Sequence, residues 1–307
     1  MHYFTKQMCQ GGPRYGSGVR VGNWNEDMEL TETLQKDFLY KKGTGSLRLD
    51  AYHGRMQAAL AEVELTSVEA DGLIHFGDVL QIHSAVSQSA VACDLSDKDT
   101  RVGENSCMVT AQAPGQTFPS ARNTFTLSKY VPRRPSVTDL HFEGDLLRYG
   151  QKVHVHMGPA YSSGEQWQLF SKIVCMTHYA KYSRHQLVGM TTRTNYETVW
   201  QVVTPNPDER IISEGVEVPA GAPINLVHSA TNQALHLEDM VYENDFGQEL
   251  EVSAFSSQGK SKKNNCELAG TGSIRALINK PMTDANVFYL VNSSGPASAP
   301  PPPAEEQ

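Results

Sequence analysis

The stretch Asp71-Gly72-Leu73-Ile74-His75-Phe76-Gly77-Asp78-Val79-Leu80-Gln81-Ile82-His83 decides the fold, because it recurs twice. The second copy is Glu143-Gly144-Asp145-Leu146-Leu147-Arg148-Tyr149-Gly150-Gln151-Lys152-Val153-His154-Val155-His156. The third is Glu214-Gly215-Val216-Glu217-Val218-Pro219-Ala220-Gly221-Ala222-Pro223-Ile224-Asn225-Leu226. Each runs from an acidic residue and a Gly to a second Gly, then into alternating apolar residues. Gly150 lies 73 residues after Gly77 (150 − 77), and Gly221 lies 71 after Gly150 (221 − 150). A fixed period of this kind is the signature of a repeated architecture and takes precedence over any local reading. Acidic-Gly is turn chemistry, with Gly free to take positive φ. Leu80/Ile82, Val153/Val155 and Ile224/Leu226 then alternate with polar residues. Period 2 predicts strands with one face buried and the other, bearing Gln81, His83, His154, His156 and Asn225, wet. Pro223 stands at a strand start, where a missing N–H is tolerated.

Three shorter apolar runs follow each opening strand. They are Ala90–Cys93, Cys107–Thr110 and Thr124–Leu127 in the first unit, and Trp167–Phe170, His185–Val188 and Val199–Val202 in the second. In the third they are Ala234–Leu237, Leu250–Ser253 and Val287–Leu290. Each unit closes on an aromatic: Phe125, Trp200, Phe288. Three units of four strands predict a mainly β chain built on a single β-trefoil, a barrel closed without open edges. One unit alone cannot bury its apolar face. The opening strands, and Asn225–His236 in particular, resemble the MIR domain, a trefoil of intracellular channels and protein mannosyltransferases. His83 and His228 end opening strands where MIR domains repeat a His, and they read as structural hydrogen-bonders.

The expected organisation is an N-terminal arm with helices over 1–70, the MIR-like trefoil over 71–292, and a Pro-rich tail over 293–307. Asn25 is a good N-cap, and Glu26 and Asp27 complement the positive end of a helix. Leu30, Leu34 and Phe38 share one face, while Glu32–Lys36 and Asp37–Lys41 are favourable i,i+4 pairs. Lys41-Lys42-Gly43 reads as the stop. That helix lies either on its own barrel or on a neighbour. A second helix is expected across Leu47–Leu60, weakened by Gly54, and Val63-Glu64-Leu65 alternates into the first strand. The tail, rich in Pro and Ala, cannot bury apolar area and is expected to be disordered unless a partner holds it.

Composition narrows the function. The 307 residues carry a net charge of −8, 39% hydrophobic and 20% charged residues. The chain is long enough for a sizeable core. Its acidity argues against binding nucleic acid through phosphate neutralisation. No run approaches the roughly 20 apolar residues of a membrane span, and the N-terminus shows no apolar leader core. Five scattered cysteines (Cys9, Cys93, Cys107, Cys175, Cys266), an odd number, point to free thiols in a reduced, cytosolic-type compartment.

No catalytic constellation is legible. H-E-x-x-H, C-x-x-C, G-x-S-x-G and a Walker lysine motif are all missing. The glycines of Tyr15-Gly16-Ser17-Gly18 follow no strand and precede no Gly-Lys-Ser/Thr, so they do not make a nucleotide loop. His154 and His156 offer half of a metal site without the other ligands. The expectation is therefore a protein that is not an enzyme and holds no cofactor or metal. A carbohydrate- or peptide-binding trefoil is the alternative, although the Gln-x-Trp signature of ricin-type lectins does not occur.

The segment Tyr15–Asp27, continuing through Met28–Lys42 and into Asp71–Asp78, resembles the cilia- and flagella-associated protein 161 family, microtubule inner proteins of the axoneme. The resemblance implies residence in the A-tubule lumen of doublet microtubules in a cilium or flagellum. It also implies contact with α/β-tubulin and neighbouring inner proteins, with no membrane and no nucleic acid. Tubulin is itself acidic, so contact is expected through local basic or aromatic residues: Tyr15, Arg20, Trp24, Arg133, Arg134, Lys260, Lys262 and Lys263.

Overall fold

The three copies of the opening stretch meet in a ring of backbone hydrogen bonds. Ile74 N–H donates to Val218 O (3.2 Å), Val218 N–H to Leu147 O (2.9 Å), and Leu147 N–H back to Ile74 O (2.9 Å). A second ring runs outside the first: Phe76 N–H to Asp145 O, Tyr149 N–H to Val216 O, and Ala220 N–H to Gly72 O, at 2.8–2.9 Å. All six flanking glycines, Gly72, Gly77, Gly144, Gly150, Gly215 and Gly221, have positive φ. The backbone can then reverse twice within a few residues at no steric cost. The computed structural model describes residues 24–98, 106–115, 118–132, 142, 144–162, 164–256 and 282–293. It divides into two compact units, Met1–Gln57 and Ala58–Gln307.

In the second unit each of the twelve repeated runs is a strand. The first group is β1 (Val79–Ser84), β2 (Val91–Lys98), β3 (Ser106–Ala111) and β4 (Phe125–Lys129). The second is β5 (Lys152–Met157), β6 (Gln168–Lys172), β7 (Gln186–Thr191) and β8 (Trp200–Val203). The third is β9 (Pro223–His228), β10 (Gln233–Asn244), β11 (Gly247–Ala254) and β12 (Phe288–Val291). First and fourth strands pair antiparallel in a closed ring, β1–β4–β5–β8–β9–β12 and back to β1. The hairpins β2–β3, β6–β7 and β10–β11 stand on that ring. Their inner strands join in a triangle, β3–β7, β7–β11 and β11–β3. Inside lie Leu80, Ile82, Val153, Val155, Ile224 and Leu226 with Phe125, Trp200 and Phe288, in one continuous core. A ring of strands without a free edge shields its backbone groups from other chains.

One expectation about this barrel is corrected. The polar side of the opening strands is not wet: Gln81, His154 and Asn225 are all buried. Short 3-10 turns precede the fourth strands, at Ala121–Asn123, Tyr196–Thr198 and Asp284–Asn286. His154 Nδ1 pairs with Thr198 O (3.0 Å), and Asn225, its amide turned toward acceptors, donates to Asn286 O (2.9 Å). Buried polar groups persist where such partners are supplied.

The second unit also takes in residues 58–70, counted above with the arm. Val63–Leu65 is not a strand there; Glu62 alone makes an isolated bridge, with Ser120. Thr66 explains why the segment belongs: its Oγ1 accepts from Val79 N–H (2.9 Å), and its carbonyl accepts from Ser293 N–H (3.1 Å). It ties the start of β1 to the end of β12.

The first unit holds α1 (Trp24–Gly43) and most of α2 (Arg48–Ala59). α1 passes through Gly43, the expected stop. Ser46 N–H donates to Lys41 O (2.9 Å) and Gly45 N–H to Lys42 O (3.4 Å), with Gly45 at φ +65°. This is a Schellman ending, in which the glycine outside the helix, not the last one within it, satisfies the orphan carbonyls. The pairs Lys36–Glu32 (3.6 Å) and Lys41–Asp37 (2.7 Å) form as expected. α2 runs through Gly54 without interruption. The expected disorder of the tail concerns residues 294–307, which lie outside those described.

Candidate partner interface

Tyr15, Arg20, Arg133, Arg134, Lys260, Lys262 and Lys263 lie outside the described residues, as does the side chain of Trp24, whose backbone begins α1. In the chain order Arg133 and Arg134 fall in the β4–β5 connection, and the three lysines fall in the β11–β12 connection. Among the described residues, exposed apolar side chains gather elsewhere. Ile173, Val174 and Met176 stand out on the β6–β7 connection, Met176 at 97% exposure, and Ile211 and Ile212 on the short helix Arg210–Ser213. Single exposed apolar residues are ordinary on any surface; adjacent ones mark places where another chain gains area by docking.

The histidines that drew attention in the sequence are spent on the wall. His156 Nε2 pairs with Ser128 Oγ (2.6 Å). His228 is buried under Trp200, with Nδ1 on Thr231 Oγ1 (2.8 Å) and Nε2 on Glu197 O (3.0 Å). His83 Nε2 meets Gln81 Oε1 (3.1 Å). His83 and His228 are therefore hydrogen-bonders in the structure, as expected.

Other polar clusters carry no sequence signal. Arg122 and Glu249 form a buried ion pair between the 3-10 turn before β4 and β11. Glu238 lies between His185 (Nδ1, 2.5 Å) and His236 (Nε2, 3.8 Å) and accepts from Ser253 Oγ (2.5 Å). Glu251, fully buried, takes the backbone N–H groups of Tyr182 (2.9 Å) and Ser183 (2.8 Å). The pairs Arg122–Glu249, His185–Glu238 and Tyr182–Glu251 stand more than fifty residues apart in sequence, and the packing of the hairpins brings them together.

One group has the residue types of a cation site. His75 Nε2 is 3.4 Å from Asp71 Oδ2 and 3.8 Å from Glu69 Oε2, and the ligand atoms of all three lie within 4.8 Å of one another. The repeat gives a plainer account. In the backbone ring Leu147 occupies the place of Ile74, so Arg148 occupies the place of His75, and Arg148 pairs with Glu217 (2.8 Å). A basic side chain beside carboxylates thus recurs in two of the three copies, Pro219 standing at the place in the third, and needs no metal to account for it.

Burial lowers the pKa of His83, His154, His156, His228 and His236. A histidine that is harder to protonate when folded takes up its proton preferentially in the unfolded chain. Its contribution to stability is complete above the ordinary value of 6.5 and declines as pH falls below it. Five such groups act in one direction, so the melting temperature should fall steadily from pH 7 to pH 5. His228→Gln should flatten that slope. A melting temperature constant across this interval would show that the imidazoles titrate normally.

Closed strands and polar groups paired within the wall define a closed β scaffold that carries exposed apolar side chains on its connections. A family model described as a cilia- and flagella-associated protein 161-like domain matches residues 56–267. The chain belongs to the cilia- and flagella-associated protein 161 family. It is 32% identical over 256 residues to cilia- and flagella-associated protein 161 of Bos taurus, covering 78% of this chain and 76% of that one. It is 28% identical over 268 residues to the protein of the same name from Danio rerio, covering 82% and 85%. Among solved structures, the SDF2-like protein from Arabidopsis thaliana is similar with a TM-score of 0.47 at 13% identity, covering 71% of this chain and 94% of that one.

Proposed function

We propose that this chain is a non-enzymatic structural protein of the ciliary or flagellar axoneme. It lies in the A-tubule lumen as a microtubule inner protein, binds α/β-tubulin and neighbouring inner proteins, and stiffens the doublet wall. Its β unit is a MIR-like β-trefoil: a six-strand ring of first and fourth strands, capped by a triangle of hairpins, is the arrangement a trefoil requires. The observation that carries the functional reading is the family match over residues 56–267. The barrel supplies stiffness, since a close-packed core yields little under load. The arm, the connections bearing Arg133, Arg134 and Lys260–Lys263, and the tail are the parts left to reach neighbours.

The test is a tagged full-length chain expressed in ciliated cells. It should remain in detergent-extracted axonemes and appear inside doublets by tomography. A chain carrying Arg20→Glu and Trp24→Ala should melt normally yet incorporate several-fold less. Full extraction of the wild-type protein by detergent would overturn the reading, and normal incorporation of the double variant would remove the arm from the interface.

A further inference from the structure

The face of α1 is self-complementary. At 100° per residue, Asp27, Leu30, Leu34, Phe38 and Lys41 all lie within about 40° of the Leu34 direction. The three apolar members are open to solvent, with Leu30 at 48%, Leu34 at 61% and Phe38 at 52% exposure. The stripe is bounded by one acid at its start and one base at its end. Laid antiparallel on a copy of itself and crossed at Leu34, residue i meets residue 68 − i. Leu34 then meets Leu34, Leu30 meets Phe38, and Asp27 meets Lys41 at both ends.

We propose that α1 is a homodimerisation helix that pairs antiparallel with α1 of a second copy of this chain, centred on Leu34. The charges select the direction as well as the occupant. A parallel pair would set Asp27 on Asp27 and Lys41 on Lys41, which is repulsive at both ends. In the antiparallel pair each Lys41, already bonded to its own Asp37 (2.7 Å), gains a second carboxylate. The stripe from residue 27 to 41 spans about 21 Å at 1.5 Å per residue. The contact is thus short, with a small apolar centre and charged ends, and its strength should fall with salt. The inference is independent of where in the cell the protein resides.

Sedimentation equilibrium of the full chain tests it. The wild-type mass should rise with concentration from 33.8 kDa toward a doubled value, less steeply in high salt. Asp27→Lys and Lys41→Glu should each remain monomeric where the wild type is dimeric. Mixed one to one, the two variants should regain the doubled mass. The lysine introduced in one then faces the glutamate introduced in the other, and the remaining Lys41 faces the remaining Asp27. Circular dichroism of each variant shows whether the helix is retained. A wild-type monomer at every concentration up to about 100 μM overturns the proposal, as does a mixture that fails to associate. A monomeric chain that loses doublet incorporation on Leu34→Glu would assign the face to a different partner. One that instead loses thermal stability would assign it to the chain itself. Either result also overturns the second copy as occupant.

Discussion

Trp200→Ala should lower stability by about 3–5 kcal/mol, the cost of replacing a large buried aromatic by alanine where the site cannot collapse. Trp200 closes the second group of strands at 0% exposure. Its indole N–H donates to Leu169 O (2.9 Å), and its ring leans on His228 at 5.2 Å between centroids. β8 is held between β5 and β9 in a ring with no free edge, so neighbouring strands cannot close over the void without breaking register. Trp200→Phe separates the two contributions. It keeps most of the apolar volume but leaves the Leu169 carbonyl without its buried donor, and should cost less, about 1–3 kcal/mol. Denaturant titrations with an unchanged slope would report both losses as shifts in midpoint. A loss below about 1 kcal/mol for alanine would mean that the core is not the rigid packing described.

All twelve strands were legible because their signals are local and three times repeated. A glycine at positive φ and an alternating run identify a turn and a strand within a dozen residues, and the aromatic at Phe125, Trp200 and Phe288 ends each group. What was not legible depends on chain brought from elsewhere. The polar side of β5 and β9 is met by turns more than forty residues away, as His154 with Thr198 and Asn225 with Asn286 show. Residues 58–70 join the barrel through Thr66, whose two partners, Val79 and Ser293, no spacing rule connects. Gly43 and Gly45 stand two apart, and composition cannot tell which one ends α1. The candidate interface residues were chosen for charge and aromaticity where the period lapses, and most belong to connections whose geometry no repeat specifies.

Arg122 and Glu249 are the strongest instance of such a hidden pair, and breaking them should cost about as much as losing Trp200. The guanidinium donates from Nη1 to Oε1 (2.7 Å) and from Nη2 to Oε2 (2.9 Å). Thr110 Oγ1 and Asn244 Nδ2 also donate to Oε2, each at 2.6 Å, and the Phe246 ring lies 3.6 Å from the guanidinium carbon. Both residues are almost completely buried, so removing either leaves the other charged and unpaired. Arg122→Met should then cost about 3–5 kcal/mol, whereas replacing both members by apolar residues should cost markedly less than the sum of the singles. The pH dependence supplies a second check. Burial pushes the Glu249 carboxyl up, but Arg122, with Thr110 and Asn244, outweighs it and holds the carboxyl below its ordinary value of 4.5. A carboxyl whose pKa falls on folding stabilises the protein above pH 4.5, and that contribution is lost as pH falls through the lowered value. Without Arg122 only the Thr110 and Asn244 hydrogen bonds oppose the burial effect, so the carboxyl is easier to protonate in the folded variant than in the folded wild type. In Arg122→Met the buried carboxylate should therefore be relieved by protonation at a higher pH than in the wild type, so the variant's deficit against the wild type narrows in acid. Parallel melts at pH 7 and pH 5 measure that narrowing, and a deficit that stays constant or widens in acid would mean that Arg122 does not govern the Glu249 charge.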